Sequence, residues 1–127
     1  MLKAAKPEPV ALFICVTCQQ ADARPGALLY RRLEDMLNGR AVRLYPVECM
    51  SICKRPCTVA VSSPGKWSYI IGGIDEAVDA PALLDYLDAY AASESGTPPL
   101  KKRPAVIRRG TIARLPPHTH KESYAAS

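Results

Sequence analysis

Val10-Ala11-Leu12-Phe13-Ile14-Cys15-Val16-Thr17-Cys18 is the stretch on which the fold turns. Residues 10–16 are apolar without interruption, bounded by Pro9 on one side and a cysteine loop on the other. An unbroken apolar run of this length predicts a strand buried on both faces, as in a parallel sheet. After the loop Gln19–Arg24, Pro25 suits the first turn of a helix, where its missing N–H is no loss. Leu28, Leu29, Leu33, Met36 and Leu37 then recur at helical spacing, and Asn38-Gly39 supplies the stop. A second strand is expected over residues 41–47, followed by Cys49, Cys53 and Cys57. Parallel strands end on the same side of a sheet, so this βαβ unit brings two cysteine clusters together. A pair from each would give four thiolates, the donor set of tetrahedral zinc or a [2Fe–2S] cluster.

The remainder reads as a hairpin and a helix. Thr58-Val59-Ala60-Val61 is a short strand, Ser62-Ser63-Pro64-Gly65 a turn, and residues 66–71 the returning strand. Gly72-Gly73 stops it. Asp79 suits the cap of a second helix with Pro81 in its first turn, and Leu83, Leu84, Leu87 and Tyr90 line one face. The order β-α-β followed by β-β-α predicts an α/β, thioredoxin-like domain. Aromatic residues are few, so an aliphatic core is expected. From Ser93 the chain turns to Gly, Pro and basic residues, which predicts a basic, proline-rich, extended C-terminal tail. The competing expectation is that Val106-Ile107 and Ile112 pack back onto the body. The expected plan is an arm over 1–9, a domain over 10–93 and a tail over 94–127.

Charge is divided unevenly. Residues 1–100 hold ten Lys/Arg against eleven Asp/Glu, whereas residues 101–127 hold seven Lys/Arg against Glu122 alone. Such a tail is either a solvated arm or a docking element for an acidic protein surface. Nucleic acid is disfavoured, because Tyr124 is the tail's one stacking aromatic. The N-terminus Met1–Lys6 is basic, but Pro7-Glu8-Pro9 breaks it and no small-residue cleavage site follows. No apolar run approaches the roughly 18 residues of a membrane span. A cytoplasmic protein is expected, in which clustered cysteines bind metal or do redox chemistry rather than form structural disulfides.

Glu48-Cys49-Met50-Ser51-Ile52-Cys53, followed by a Val-rich strand, resembles the second half of the thioredoxin-like [2Fe–2S] ferredoxins and the related small subunit of NADH dehydrogenases and NAD-linked hydrogenases. More closely, the run from Leu12 to Pro117 is similar to an uncharacterised bacterial family described only as metal-binding. The segments ICVTC (14–18), ECMSICKRPCTVAV (48–61), PGKWSYIIGG (64–73) and RRGTIARLPP (108–117) carry that likeness. The resemblance implies a cluster held by Cys15, Cys18, Cys49 and Cys53, with Cys57 as a spare or alternate ligand. The two-residue gap between Cys15 and Cys18 is shorter than the ferredoxin pattern. The implied function is a [2Fe–2S] electron carrier, not an enzyme, docking a redox partner protein; a homodimer is compatible with it. The alternative is a cysteine-based metal-binding or delivery protein for zinc, cobalt or nickel.

Other readings of the same residues stay open at the level of sequence. Cys15-Val16-Thr17-Cys18 has the spacing of a thioredoxin-type redox pair, although Gln19–Arg24 separates it from the helix start. The cysteines could also be small packing residues. His118 and His120 offer a His-x-His pair on the tail, Asp75-Glu76 reads as a polar loop, and Trp67 either packs on the hairpin or shields the cysteines. No Ser–His–Asp set, phosphate-binding glycine loop or dinucleotide fingerprint is present.

Overall fold

The computed structural model describes residues 9–17, 24–50 and 57–117. The expectations that fall on Cys18, Cys53, His118 and His120 lie outside those residues. Five strands form one sheet: β1 (Val10–Cys15), β2 (Val42–Val47), β3 (Val59–Ser62), β4 (Ser68–Ile71) and β5 (Thr111–Leu115), in the order β2-β1-β3-β4-β5. The central run is thus an inner strand, but the expected burial on both faces is corrected: Val10, Leu12 and Ile14 are buried, whereas Ala11 and Phe13 on the other face are partly exposed. β2 pairs with β1 in parallel, from Val10 opposite Val42 to Cys15 opposite Val47. β3 lies antiparallel on the other side of β1, and β4 and β5 extend the sheet antiparallel. β2 and β5 are the two edges.

The helices cover one face. Val10, Leu12 and Ile14 of β1, with Val59, Val61, Tyr69 and Ile71 from β3 and β4, share one buried cluster with residues of the helices α1 (Pro25–Met36) and α2 (Ala80–Ala92). The opposite face stays partly or fully exposed at Ala11, Phe13, Tyr45, Ala60, Ile70 and Leu115. There the rings of Phe13 and Tyr45 stack with centroids 5.2 Å apart. α1 begins at Pro25 and ends before Gly39, whose φ of 86° takes the left-handed conformation that stops a helix. Its buried positions are Pro25, Gly26, Leu29 and Leu33, continued by Leu37. Leu28, expected on that face, is 44% exposed, because it lies about 100° round the helix from Leu29.

Two expectations about α2 and the core are corrected. Asp79 occupies the cap position but makes no side-chain cap bond; its carboxylate instead accepts the Asp75 N–H at 2.8 Å and closes the preceding loop. The other end of α2 is held by Lys66, whose ammonium donates to the Tyr90 and Ala91 carbonyls at 3.2 and 3.0 Å. A cation suits that end of the helix dipole. The core is also not purely aliphatic. Tyr69, Tyr86 and Tyr90 are among its largest fully buried side chains. Few aromatics in the chain did not mean few in the interior.

The expected extended tail is replaced, over residues 100–115, by a 3-10 turn (Leu100–Lys102), a short helix α3 (Ala105–Gly110) and β5. Ile107 is fully buried and Val106 packs against the core, as the competing expectation had it, while Ile112 is 37% exposed. Burying an Ile side chain is worth about 1.5–3 kcal/mol, which a basic surface composition does not oppose because Arg108 and Arg109 point to solvent. Gly110 lets α3 turn directly into β5. A Cβ there would lie 2.4 Å from the Gly72 carbonyl oxygen, which accepts no such intrusion.

Candidate functional site

Backbone pairing gathers the described cysteines at one end of the sheet. Cys15 closes β1, and its N–H donates to the Thr58 carbonyl at 3.0 Å. The next residue, Val16, donates to Val47, the last residue of β2, at 2.9 Å, and Cys49 follows two residues on. Cys57 precedes β3 and exchanges both backbone bonds with Ile74, at 3.2 and 3.0 Å. The expected convergence of strand ends is therefore present in the backbone for Cys15, Cys49 and Cys57.

Their side chains do not form the expected centre. Cys15 and Cys57 are fully buried, Cys57 as a member of the apolar core cluster, while Cys49 is exposed. Among the described residues no group of three or more His, Cys, Asp or Glu side chains could hold a metal ion. That finding overturns the expected [2Fe–2S] cluster and the zinc, cobalt and nickel alternatives. The electron-carrier and metal-delivery functions built on them are corrected with it. The physical reason is that Cys15 and Cys57, at the ends of inner strands, are drawn into the packed interior, whereas Cys49, beyond edge strand β2, is exposed. Cys15 also sits inside a strand rather than at a helix N-terminus, unlike the attacking thiol of a thioredoxin-type pair.

The C-terminal segment presents charge. Residues 95–117 contain Lys101, Lys102, Arg103, Arg108, Arg109 and Arg114 and no acidic residue. All but Arg103 are exposed. The segment is anchored along its length. Arg103 donates from Nε to the Pro98 carbonyl at 2.8 Å and lies over the Tyr69 ring, 5.7 Å from its centroid. Arg114 lies 4.5 Å from the centroid of Trp67. The Gly72 N–H donates to the Gly110 carbonyl at 2.8 Å. Ile71 pairs with Thr111 on one side and with Val59 on the other. The C-terminal end of α3, carrying Arg108 and Arg109, is thereby fixed at the same end of the sheet as the cysteines.

The remaining sequence candidates resolve simply. Asp75 accepts from the Ala77 N–H at 2.8 Å and Glu76 lies 3.8 Å from Arg32, the arrangement of a polar loop. Trp67 stands beside the hairpin, with its N–H donating to Ser95, at the end of the sheet away from the cysteines. It stands away from the described thiols, Cys15, Cys49 and Cys57. Tyr86 escaped the sequence reading, although its position three residues after Leu83 places it on the same helical face.

The fold is similar to that of the thioredoxin-like [2Fe–2S] ferredoxin from Aquifex aeolicus, with a TM-score of 0.57 at 14% identity over 87% of this chain and 97% of that one. The structure of the wild-type thioredoxin-like [2Fe–2S] ferredoxin from Aquifex aeolicus gives a TM-score of 0.55, also at 14% identity, over 84% and 98%. This likeness is one of fold. No curated protein matches the chain. Residues 12–117 match the profile of a family described as "Protein of unknown function (DUF1636)".

Proposed function

Since the chain belongs to the DUF1636 family, whose function is unknown, we propose from its own surface that it is a non-enzymatic, partner-binding protein of the cytoplasm. Its partner presents an acidic protein surface, and docks on the basic segment formed by the 3-10 turn, α3 and β5. The observation that carries this reading is an ordered segment, residues 95–117, that holds six Lys/Arg and no Asp or Glu of its own. Ordered charges dock at lower entropic cost than a loose arm, because their backbone is already fixed. The fold's likeness to ferredoxins rather than to a catalytic enzyme supports a non-enzymatic role. No helix among the described residues is long and apolar enough to cross a membrane.

Full-length tagged protein retained with its native-host partner tests the reading. Two charge-reversed variants, Lys101→Glu with Lys102→Glu and Arg108→Glu with Arg109→Glu, should each weaken binding at least tenfold. Wild-type binding should fall as salt shortens the screening length to about 8 Å and below. A partner held equally well by both variants, with no salt dependence, refutes the proposal.

A further inference from the structure

Tyr69 on β4 and Tyr86 on α2 are 1% and 0% exposed, and neither hydroxyl has a hydrogen-bond partner among the described residues. Their rings meet edge to face with centroids 6.1 Å apart. Tyr90 packs against Tyr86 at the same centroid distance, yet its hydroxyl donates to the Trp67 carbonyl. The core therefore provides for one tyrosine of the three and leaves the hydroxyls of two packed rings without a partner among the described residues. Phenylalanine would fill the same space without burying a polar atom. Leaving a buried hydroxyl unmatched costs more than an ordinary hydrogen bond contributes, and folded proteins rarely do it.

A third polar group adjoins the pair. Arg103 lies over the Tyr69 ring, and its positive charge acts on the Tyr86 hydroxyl, opposing the effect of burial, which pushes that hydroxyl's pKa far up. Its Nε is committed to Pro98. Both hydroxyl oxygens are shut off from solvent, which suits a small molecule able both to donate and to accept. Buried waters of this kind typically make about three bonds to otherwise unmatched groups.

We propose that one water molecule is built into the core between the Tyr69 and Tyr86 hydroxyls beside Arg103, as a polar latch joining β4, α2 and the basic C-terminal segment. This site is independent of the docking surface and does not rest on it. A water shared by two hydroxyls couples them: once one is removed, the other has lost its partner too.

The test is thermal unfolding of the full chain with Tyr69→Phe, Tyr86→Phe and both together, and with Tyr90→Phe as the reference. Each single change at the pair should lower Tm by several degrees, and the double variant should fall about as far as one single, not as far as their sum. Tyr90→Phe should add independently to either. Magnetisation transfer between water and the tyrosine hydroxyl protons should be present in the wild type and absent from both Phe variants. A rise in Tm for either single variant, additive losses in the double, or no water-to-hydroxyl transfer in the wild type overturns the proposal.

Discussion

Gly26→Ala sets two effects of opposite sign against each other at one atom. Gly26 is in the first turn of α1, and a helix interior favours Ala over Gly by about 0.8–1 kcal/mol. Packing argues the reverse. A Cβ at position 26 would lie 1.7 Å from the Cys15 carbonyl oxygen, 2.8 Å from its carbonyl carbon and 3.2 Å from the Val16 Cα. All three are backbone atoms of the sheet, so no side-chain rotamer can relieve the clash. Carbon and oxygen rest at about 3.3–3.6 Å, so the N-terminal turn of α1 must retreat by roughly 1.6 Å or more. A gap of even about 0.5–1 Å forfeits a quarter to a half of each dispersion contact, and Leu29 and Leu33 lie on the same helix face. Over-packing costs about 1–3 kcal/mol, and a backbone-on-backbone clash belongs at or above the upper end. After the helical gain is subtracted, a net loss of about 2 kcal/mol remains. Urea unfolding followed by far-ultraviolet circular dichroism measures it directly. Gly39→Ala is the control, since nothing lies within 4 Å of its added carbon and only the φ of 86° resists the change. A Gly26→Ala variant that unfolds at the same urea concentration as the wild type, or a higher one, refutes the reasoning.

Ile107→Ala should cost about 2–5 kcal/mol, and deletion from Leu100 onward should lower Tm steeply; a truncated chain as stable as the full one would return these residues to the status of a tail. Leu28→Gln should stay within about 0.5 kcal/mol of wild type while Leu29→Ala loses about 2–5, measured in the same urea series. Tyr86 and Tyr90 both have hydroxyl pKa values raised above 10.0, first by burial and then by neighbouring tyrosines. Raised folded-state values mean that stability is fully present below pH 10 and is lost as pH climbs beyond it, because the unfolded chain releases those protons first. Ultraviolet difference spectra should accordingly show two tyrosines ionising only together with alkaline unfolding. Arg40→Ala, which breaks an exposed 2.8 Å pair with Asp88, should cost no more than about 1 kcal/mol in thermal unfolding.

Periodicity made the first half of this fold legible. The run from Val10 could only be an inner strand, and Pro25 and Gly39 bracket α1 because each acts through its own backbone chemistry. The segment after Ser93 was misleading because composition and packing pulled apart. Pro, Gly and basic residues dominate it, yet Ile107, with Val106 beside it and Gly110 closing the turn, seats α3 against the core. Strand β5 was hidden for a related reason: an edge strand exposed on most of its length has no apolar pattern to display. The cysteines illustrate a different limit. Sequence order placed Cys15, Cys49 and Cys57 at one end of the sheet, but spacing carries no information about which thiols turn inward, and two of these three are buried. Periodicity reads Tyr90 onto the face of Leu83 and Leu87, but scarcity of aromatics over the whole chain hides Tyr69 and Tyr86, although Tyr86 sits four residues before Tyr90 on that same face.

The two edge strands carry a consequence for how the protein behaves in concentrated solution. Unpaired strand edges invite a second copy to add on, strand against strand, and to propagate. Here β2 brings Arg43 and Pro46 to one edge, and β5 brings Arg114 to the other with Arg108 and Arg109 just ahead of it. Proline withholds a donor from one edge, and any copy approaching edge to edge meets a charge of its own sign. The cations proposed to dock an acidic partner would therefore also oppose edge-to-edge addition of a second copy. Trading them for neutral residues would relinquish both properties at once.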